Sequence, residues 1–213
     1  KGNFNCSILE AGLRLQKIFY LGPDGEIKKQ ELKIPRKFNI RGITIRDIFD
    51  IEKLVDEISK DKFKAIVRGV TGHSFVTNSL RNQKTLFEPA GGIPWICIDA
   101  DNIICSDGVD PNTVEGIILF IHLYLPKSFH DVSFYYQFSS SAGLIGPNRK
   151  LYKEELNVHI FFYLSRPVTR RELEDWLKDC NCIDKTLFRP EQIHLRVEFE
   201  SRSCRTPNMS NYF

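Results

Sequence analysis

Near the middle of the chain, Trp95-Ile96-Cys97-Ile98-Asp99-Ala100-Asp101-Asn102 ends an apolar run in two aspartates one residue apart. Apolar residues in an unbroken short run predict a buried strand over 93–100. Side chains alternate along a strand, so Asp99 and Asp101 project to one face, about 6–7 Å apart along the chain. Carboxylates so placed can hold two divalent ions about 3.5–4 Å apart. Oxygen-only ligands select Mg2+ or Mn2+ over Zn2+. Asp-x-Asp also occurs in solvated turns, so the pair acquires meaning from its neighbours.

Three further sets of residues could act with it. Asp184, in Cys182-Ile183-Asp184-Lys185-Thr186, is a candidate third carboxylate, or a turn aspartate. His159 lies in Asn157-Val158-His159-Ile160-Phe161 and points away from the side that Val158, Ile160 and Phe162 take. A lone strand histidine is often structural; here it shares a face with candidate metal ligands. The stretch 139–155 carries Ser139, Ser141, Gly143, Gly146, Arg149, Lys150 and Lys153. Hydroxyls, glycine N–H groups and cations suit a triphosphate, and they also suit a plain polar hairpin.

The elements that must position these groups follow from periodicity. Ile48, Ile51, Leu54, Val55 and Ile58 predict a helix within 44–60. A short strand is expected at 63–67, and loop from 69 to 89, where Gly, Asn, Ser and Thr dominate. After the strand at 93–100, Asp110-Pro111 predicts a helix start. Val114, Ile117, Ile118, Ile121 and Leu125 mark its face, and Pro126 stops it. Strands are expected at 132–138 and 156–164. A helix at 169–178 is signalled by the capping box Thr169 and Glu172. A last strand is expected at 192–199, where Ile193, Leu195, Val197 and Phe199 alternate with polar residues. The order from 93 is strand, helix, strand, strand, helix, strand, the split β-α-β pattern of an RRM-like sheet. Helices should cover one face and leave the other open for chemistry. The expected fold class is α+β: one domain over 1–213, with an N-terminal α/β submodule (1–90) packed beside an RRM-like submodule (91–205).

Taken in order, the apolar strand with Asp99-x-Asp101, the strand with His159 and the Ile183-Asp184 pair resemble the archaeo-eukaryotic primase superfamily. Its motifs are an apolar Asp-x-Asp/Glu strand, a Ser-x-His strand and an apolar-Asp. The runs Asn157–Val168 and Ile183–Gln192 look like the second and third motifs of plasmid and phage primase-polymerases. The resemblance covers roughly 65–200. It implies template-directed nucleotidyl transfer in DNA replication, with Asp99, Asp101 and Asp184 holding two Mg2+ or Mn2+ ions. His159, Asn157, Ser139, Ser141 and Lys153 would contact the phosphates of an NTP or dNTP. Arg81 loosely matches a nucleotide-contacting arginine of the family. The implied partners are a single-stranded DNA template, a primer, and a helicase domain or protein outside these residues. Two departures stand out: Asn157 replaces the usual serine, and Glu155 stands where a basic residue is common, with Lys153 nearby as a substitute.

Bulk properties are compatible with this. Hydrophobic content of 42% and charged content of 27% are those of an ordinary globular protein. No apolar run approaches the ~18 residues of a membrane span. The net charge of +3 leaves the partner to local patches. The six cysteines fit no zinc site, since Cys180-Asn181-Cys182 is tighter than C-x2-C. Free thiols and the lack of a signal-peptide pattern lead to the expectation of an intracellular, not secreted, protein. Two rival readings remain. One is a non-catalytic RRM-like single-stranded nucleic-acid-binding module, stacking bases on Phe134, Tyr135, Tyr136, Phe161 and Tyr163. The other is a metal-dependent nuclease.

Overall fold

The computed structural model describes residues 3–33, 35–82, 85–106, 108–183, 193–195 and 198–200. The fold is α+β, with antiparallel sheets and three α-helices among these residues.

The N-terminal part opens with β1 (Cys6–Ala11) and a small hairpin, β2 (Phe19–Leu21) and β3 (Ile27–Lys29). The hairpin turns through Gly22 to Gly25, with Gly25 at φ 79°. Next come β4 (Lys37–Ile43), α1 (Ile48–Ser59), β5 (Lys64–Val67) and β6 (Phe75–Leu80). Asp47 caps α1, its carboxylate accepting from the Asp50 N–H at 2.9 Å. The cap sets the helix start at Ile48, the first residue of the apolar spacing, four residues after the start of the expected span.

The second part contains β7 (Ile93–Ile103), α2 (Val114–Tyr124), β8 (Phe134–Phe138), β9 (Leu156–Val168), α3 (Arg170–Ile183), β10 (Ile193–Leu195) and β11 (Glu198–Glu200). One sheet has the order β10-β7-β9-β8, all neighbours antiparallel; the other has the order β11-β5-β1-β4-β6. At α3 the capping box forms: the Glu172 carboxylate accepts from the Thr169 N–H at 2.7 Å, and the Thr169 hydroxyl accepts from the Glu172 N–H at 3.2 Å.

Four expectations need correction. Residues 75–80, expected as loop, form the edge strand β6, because β4 supplies ladder hydrogen bonds that local composition does not reveal. Helix α2 begins at Val114 under a Thr113 cap, because Asp110 instead closes a turn with Asn112 and Thr113. The strand expected at 192–199 is two strands in different sheets, β10 beside β7 and β11 beside β5. The sheet face expected to lie open is largely covered. Ile51, Leu54, Val55 and Ile58 of α1 pack between the sheets against Trp95, Cys97, Tyr135 and Phe161. Those side chains are apolar, and each stabilises the fold by about 1.5–3 kcal/mol only if water is excluded. Tyr135 ties the layers together by donating from its hydroxyl to Asp56 at 2.7 Å. The opposite face, with Ile96, Ile98, Val158, Ile160 and Phe162, packs against Ile117, Phe120 and Ile121 of α2 and Leu173 of α3.

One buried cation locks the far end of the β7–β9 ladder. Arg68 donates to the carbonyls of Trp95 at 2.9 Å, Ile93 at 3.2 Å and Val168 at 2.6 Å. It also pairs with Glu88 at 2.7 Å. The same carboxylate accepts from the Arg170 N–H, so the clamp reaches the start of α3. Burial lowers the Arg68 pKa, and Glu88 offsets this. Gly92, at φ 79°, allows the chain to pass against the Val168–Thr169 backbone, where a Cβ would collide.

Candidate functional site

The middle of the second sheet carries a polar row on the face that α1 partly covers. The register sets Asp99 opposite His159, and His159 opposite Gln137. It also pairs His194 with Asp99 on the far side of β7. Directly opposed residues share a face, so three strands deliver Asp99, His159 and Gln137 side by side. His159 Nε2 lies 2.9 Å from Asp99 Oδ1. His159 and Gln137 are fully buried, and Asp99 is 7% exposed. A buried carboxylate is costly unless it is paired, and the imidazole lies within ion-pair distance of it.

Asp101 follows on the same strand and is half-buried. Asp101 lies inside the stretch between Ala100 and Ile103 where the ladder breaks in register, and the next residue, Asn102, takes a left-handed conformation at φ 55°. Asparagine tolerates that region better than most residues. Asn157 pins this irregularity. Its side-chain oxygen accepts from the Asn102 N–H at 3.1 Å and from Lys153 Nζ at 3.0 Å. Its amide nitrogen donates to the Glu155 carbonyl at 2.8 Å. Lys153 also donates to Asn102 Oδ1 at 2.7 Å. An amide at 157 can accept twice and donate once here; a serine hydroxyl has a single hydrogen to donate and a shorter reach. Ser139 and Ser141 sit at the end of β8 with their hydroxyl oxygens 3.1 Å apart, and the Ser139 N–H donates to the Asn157 carbonyl at 2.8 Å.

The structure therefore gathers Asp99, Asp101, His159, Asn157, Lys153, Ser139 and Ser141 at adjacent ends of β7, β8 and β9. Arg81 is exposed and directly follows β6, the edge strand of the five-stranded sheet. Asp184 lies outside the described residues. Among the described residues no group of three or more His, Cys, Asp and Glu is placed to hold a metal ion. Asp99 and Asp101 are both hard oxygen donors on β7, which suits Mg2+ or Mn2+ in kind.

Sequence reasoning missed Gln137, Asn102 and Arg68. Gln137 did leave a signal, as the one amide in the apolar run Phe-Tyr-Tyr-Gln-Phe. The roles of Asn102 and Arg68 depend on residues 55 and 100 positions away and left none. The loop 139–155 is also touched from the N-terminal part, where Phe19 of the hairpin packs edge-on against Tyr152 with ring centres 5.7 Å apart.

Cys6 and Cys97 are buried free thiols and Cys105 is a partly exposed one. Among the described residues no helix is long and apolar enough to cross a membrane. No protein-family model, no curated protein and no solved structure matches this chain.

Proposed function

We propose that this chain is a template-dependent nucleotidyltransferase, a DNA primase or DNA polymerase domain of the primase-polymerase type. The observation that carries the reading is Asp99-x-Asp101 at the end of a buried strand with His159 opposed to Asp99 at 2.9 Å. The strand order β10-β7-β9-β8, with the first and third strands of this part at the centre, is compatible with an RRM-like sheet.

Asp99 and Asp101, with Asp184 as third ligand, would hold Mg2+ or Mn2+. Bound there, the ions supply activation of a 3′-hydroxyl and neutralisation of triphosphate charge. The chain's own residues do the positioning. His159 holds the Asp99 carboxylate in one orientation. Asn102 and Asn157 fix the Lys153 ammonium beside the strand end, where it adds a cation for phosphate oxygens. Ser139 and Ser141 offer hydroxyls at the same end, and Arg81 would contribute a further cation for the nucleotide. The work is electrostatic and geometric rather than covalent. The single-stranded template, the primer, the NTP or dNTP and an associated helicase belong to this same reading, as does an intracellular location.

The binding-module reading is weakened by burial: Tyr135, Tyr136 and Phe161 lie in the two cores and offer no ring for stacking. The test is a labelled primer-template incubated with nucleotides and Mn2+ or Mg2+. Extension is expected. Asp101→Asn and Asp99→Asn should each reduce it by at least about 10²-fold, the scale of one lost preorganised electrostatic contact, with oligonucleotide binding retained. Full activity in either variant refutes the proposal. Degradation of the primer indicates a nuclease, and retention without turnover a binding module.

A further inference from the structure

A second feature lies outside that cluster, in the N-terminal hairpin. Arg14, Leu15, Lys17, Lys29, Gln30, Glu31, Leu32, Lys33 and Pro35 line a pocket of about 560 Å³. Four cations against one carboxylate give it a formal charge of +3. The whole chain also carries +3, so the residues outside the pocket balance to zero. A surface with four cations against one carboxylate attracts a polyanion.

The pocket is built rather than incidental. One wall, residues 14–17, is tethered to the body: the Leu15 N–H donates to the Lys62 carbonyl at 2.8 Å. The guanidinium of Arg14 is held by Gln16, through Nη2 to Oε1 at 2.8 Å and Nε to the backbone carbonyl at 3.2 Å, and Gln16 is itself buried. The other wall leaves the β2–β3 hairpin, where the Gln30 N–H donates to the Ile18 carbonyl at 2.9 Å. The neighbouring Lys28 is engaged elsewhere, on Asp24 at 2.6 Å. Leu15, Leu32 and Pro35 interleave apolar surface with the cations, a mixture suited to sugar and base edges between phosphates. The hairpin also touches the catalytic end of the sheet: Phe19, two residues after Lys17, packs on Tyr152, whose neighbour Lys153 bonds to Asn102 beside Asp101.

We propose that this pocket grips the phosphodiester backbone of a single-stranded nucleic acid and leads it, past the Phe19–Tyr152 contact, toward Asp99 and Asp101. The inference rests on the nucleotidyl-transfer reading for the direction of the strand, and not for the binding itself.

The experiment is a salt titration of binding to a fluorescein-labelled 20-mer of thymidylate. The wild-type chain is compared with the quadruple variant Arg14→Gln, Lys17→Gln, Lys29→Gln, Lys33→Gln. Each phosphate contact on a single strand contributes about 0.7 to the slope of log K against log salt, so the variant's slope should be shallower by about 3. Between 50 and 200 mM salt the wild type should then lose on the order of 50-fold more affinity than the variant. The double variant Lys29→Gln, Lys33→Gln changes only exposed side chains, guards against misfolding, and should lower the slope by about 1.4. A variant with wild-type slope and affinity overturns the proposal while primer extension continues undisturbed. Lost binding in the variants of a chain that never extends a primer upholds it and sinks only the nucleotidyl-transfer reading. Equal competition by inorganic triphosphate at the oligonucleotide's own phosphate concentration also overturns it, by making the pocket a free-anion site.

Discussion

Replacing Arg68 with methionine keeps the length of the side chain and removes its charge. Four acceptors then lose the guanidinium: the carbonyls of Ile93, Trp95 and Val168, and the Glu88 carboxylate, which keeps the Arg170 N–H. The Arg68 side chain is 5% exposed and Glu88 is 26% exposed, so water can reach part of Glu88 and little else. Breaking a buried pair by removing one partner costs about 3–5 kcal/mol. Partial access to Glu88 puts the expected loss near the lower end, about 3 kcal/mol. For a chain of this size that is a fall in Tm of about 6–12 °C, at about 2–4 °C per kcal/mol. Urea unfolding followed by tryptophan fluorescence measures it directly, since Trp95 lies in the clamped strand and its carbonyl is one of the acceptors. Glu88→Gln in the same assay should cost less, because an amide can still accept from Arg68 and from the Arg170 N–H. A loss below about 1 kcal/mol for Arg68→Met would refute the reasoning, since it would mean that these carbonyls are solvated. The clamp bears on the site through register. A slip of one residue between β7 and β9 would move Asp99 to the opposite face from His159.

Two smaller predictions concern titratable groups. Burial pushes the Cys6 thiol up to about 12, so iodoacetamide at pH 8 should leave Cys6 unmodified in the folded chain and label it only after denaturation, as peptide mass mapping would show. Rapid labelling of Cys6 in the native state would contradict its burial. At the start of α3, the Thr169 N–H, then the Thr169 hydroxyl and Arg166, hold Glu172 down at about 2 from the ordinary 4.5. A depressed carboxyl stabilises above its unfolded pKa, so the cap should be intact above about pH 4.5 and be lost as pH falls through about 2. Amide exchange at Thr169 should report that window, and Glu172→Ala should abolish it.

The sequence was most legible where the signal was local. The unbroken apolar run into Asp99, the His159 side chain out of phase with Val158 and Ile160, and the Thr169–Glu172 capping box all follow from strand alternation or from one helical turn. Each of these was readable because its cause lies within a few residues. The placement of β6 was not, because an edge strand owes its conformation to its ladder with β4. Nor was the division of 193–200 between two sheets, since an alternating pattern states which face is apolar and not which strand pairs with it.

At the candidate site the same boundary holds. Residue order alone brought Asp99, Asp101, His159, Asn157, Lys153, Ser139, Ser141 and Arg81 forward, with Arg81 following the edge strand β6. It could not show that Asn157 spends its side chain on Asn102, Lys153 and Glu155, or that Gln137 completes a row with Asp99 and His159. By itself the sequence named candidates for chemistry and determined which face Asp99 and His159 take, because period-2 alternation is a property of the backbone. Only the tertiary structure decided which strands stand side by side and that α1 closes over most of their shared face. Those outcomes depend on burying apolar surface between segments far apart in the chain.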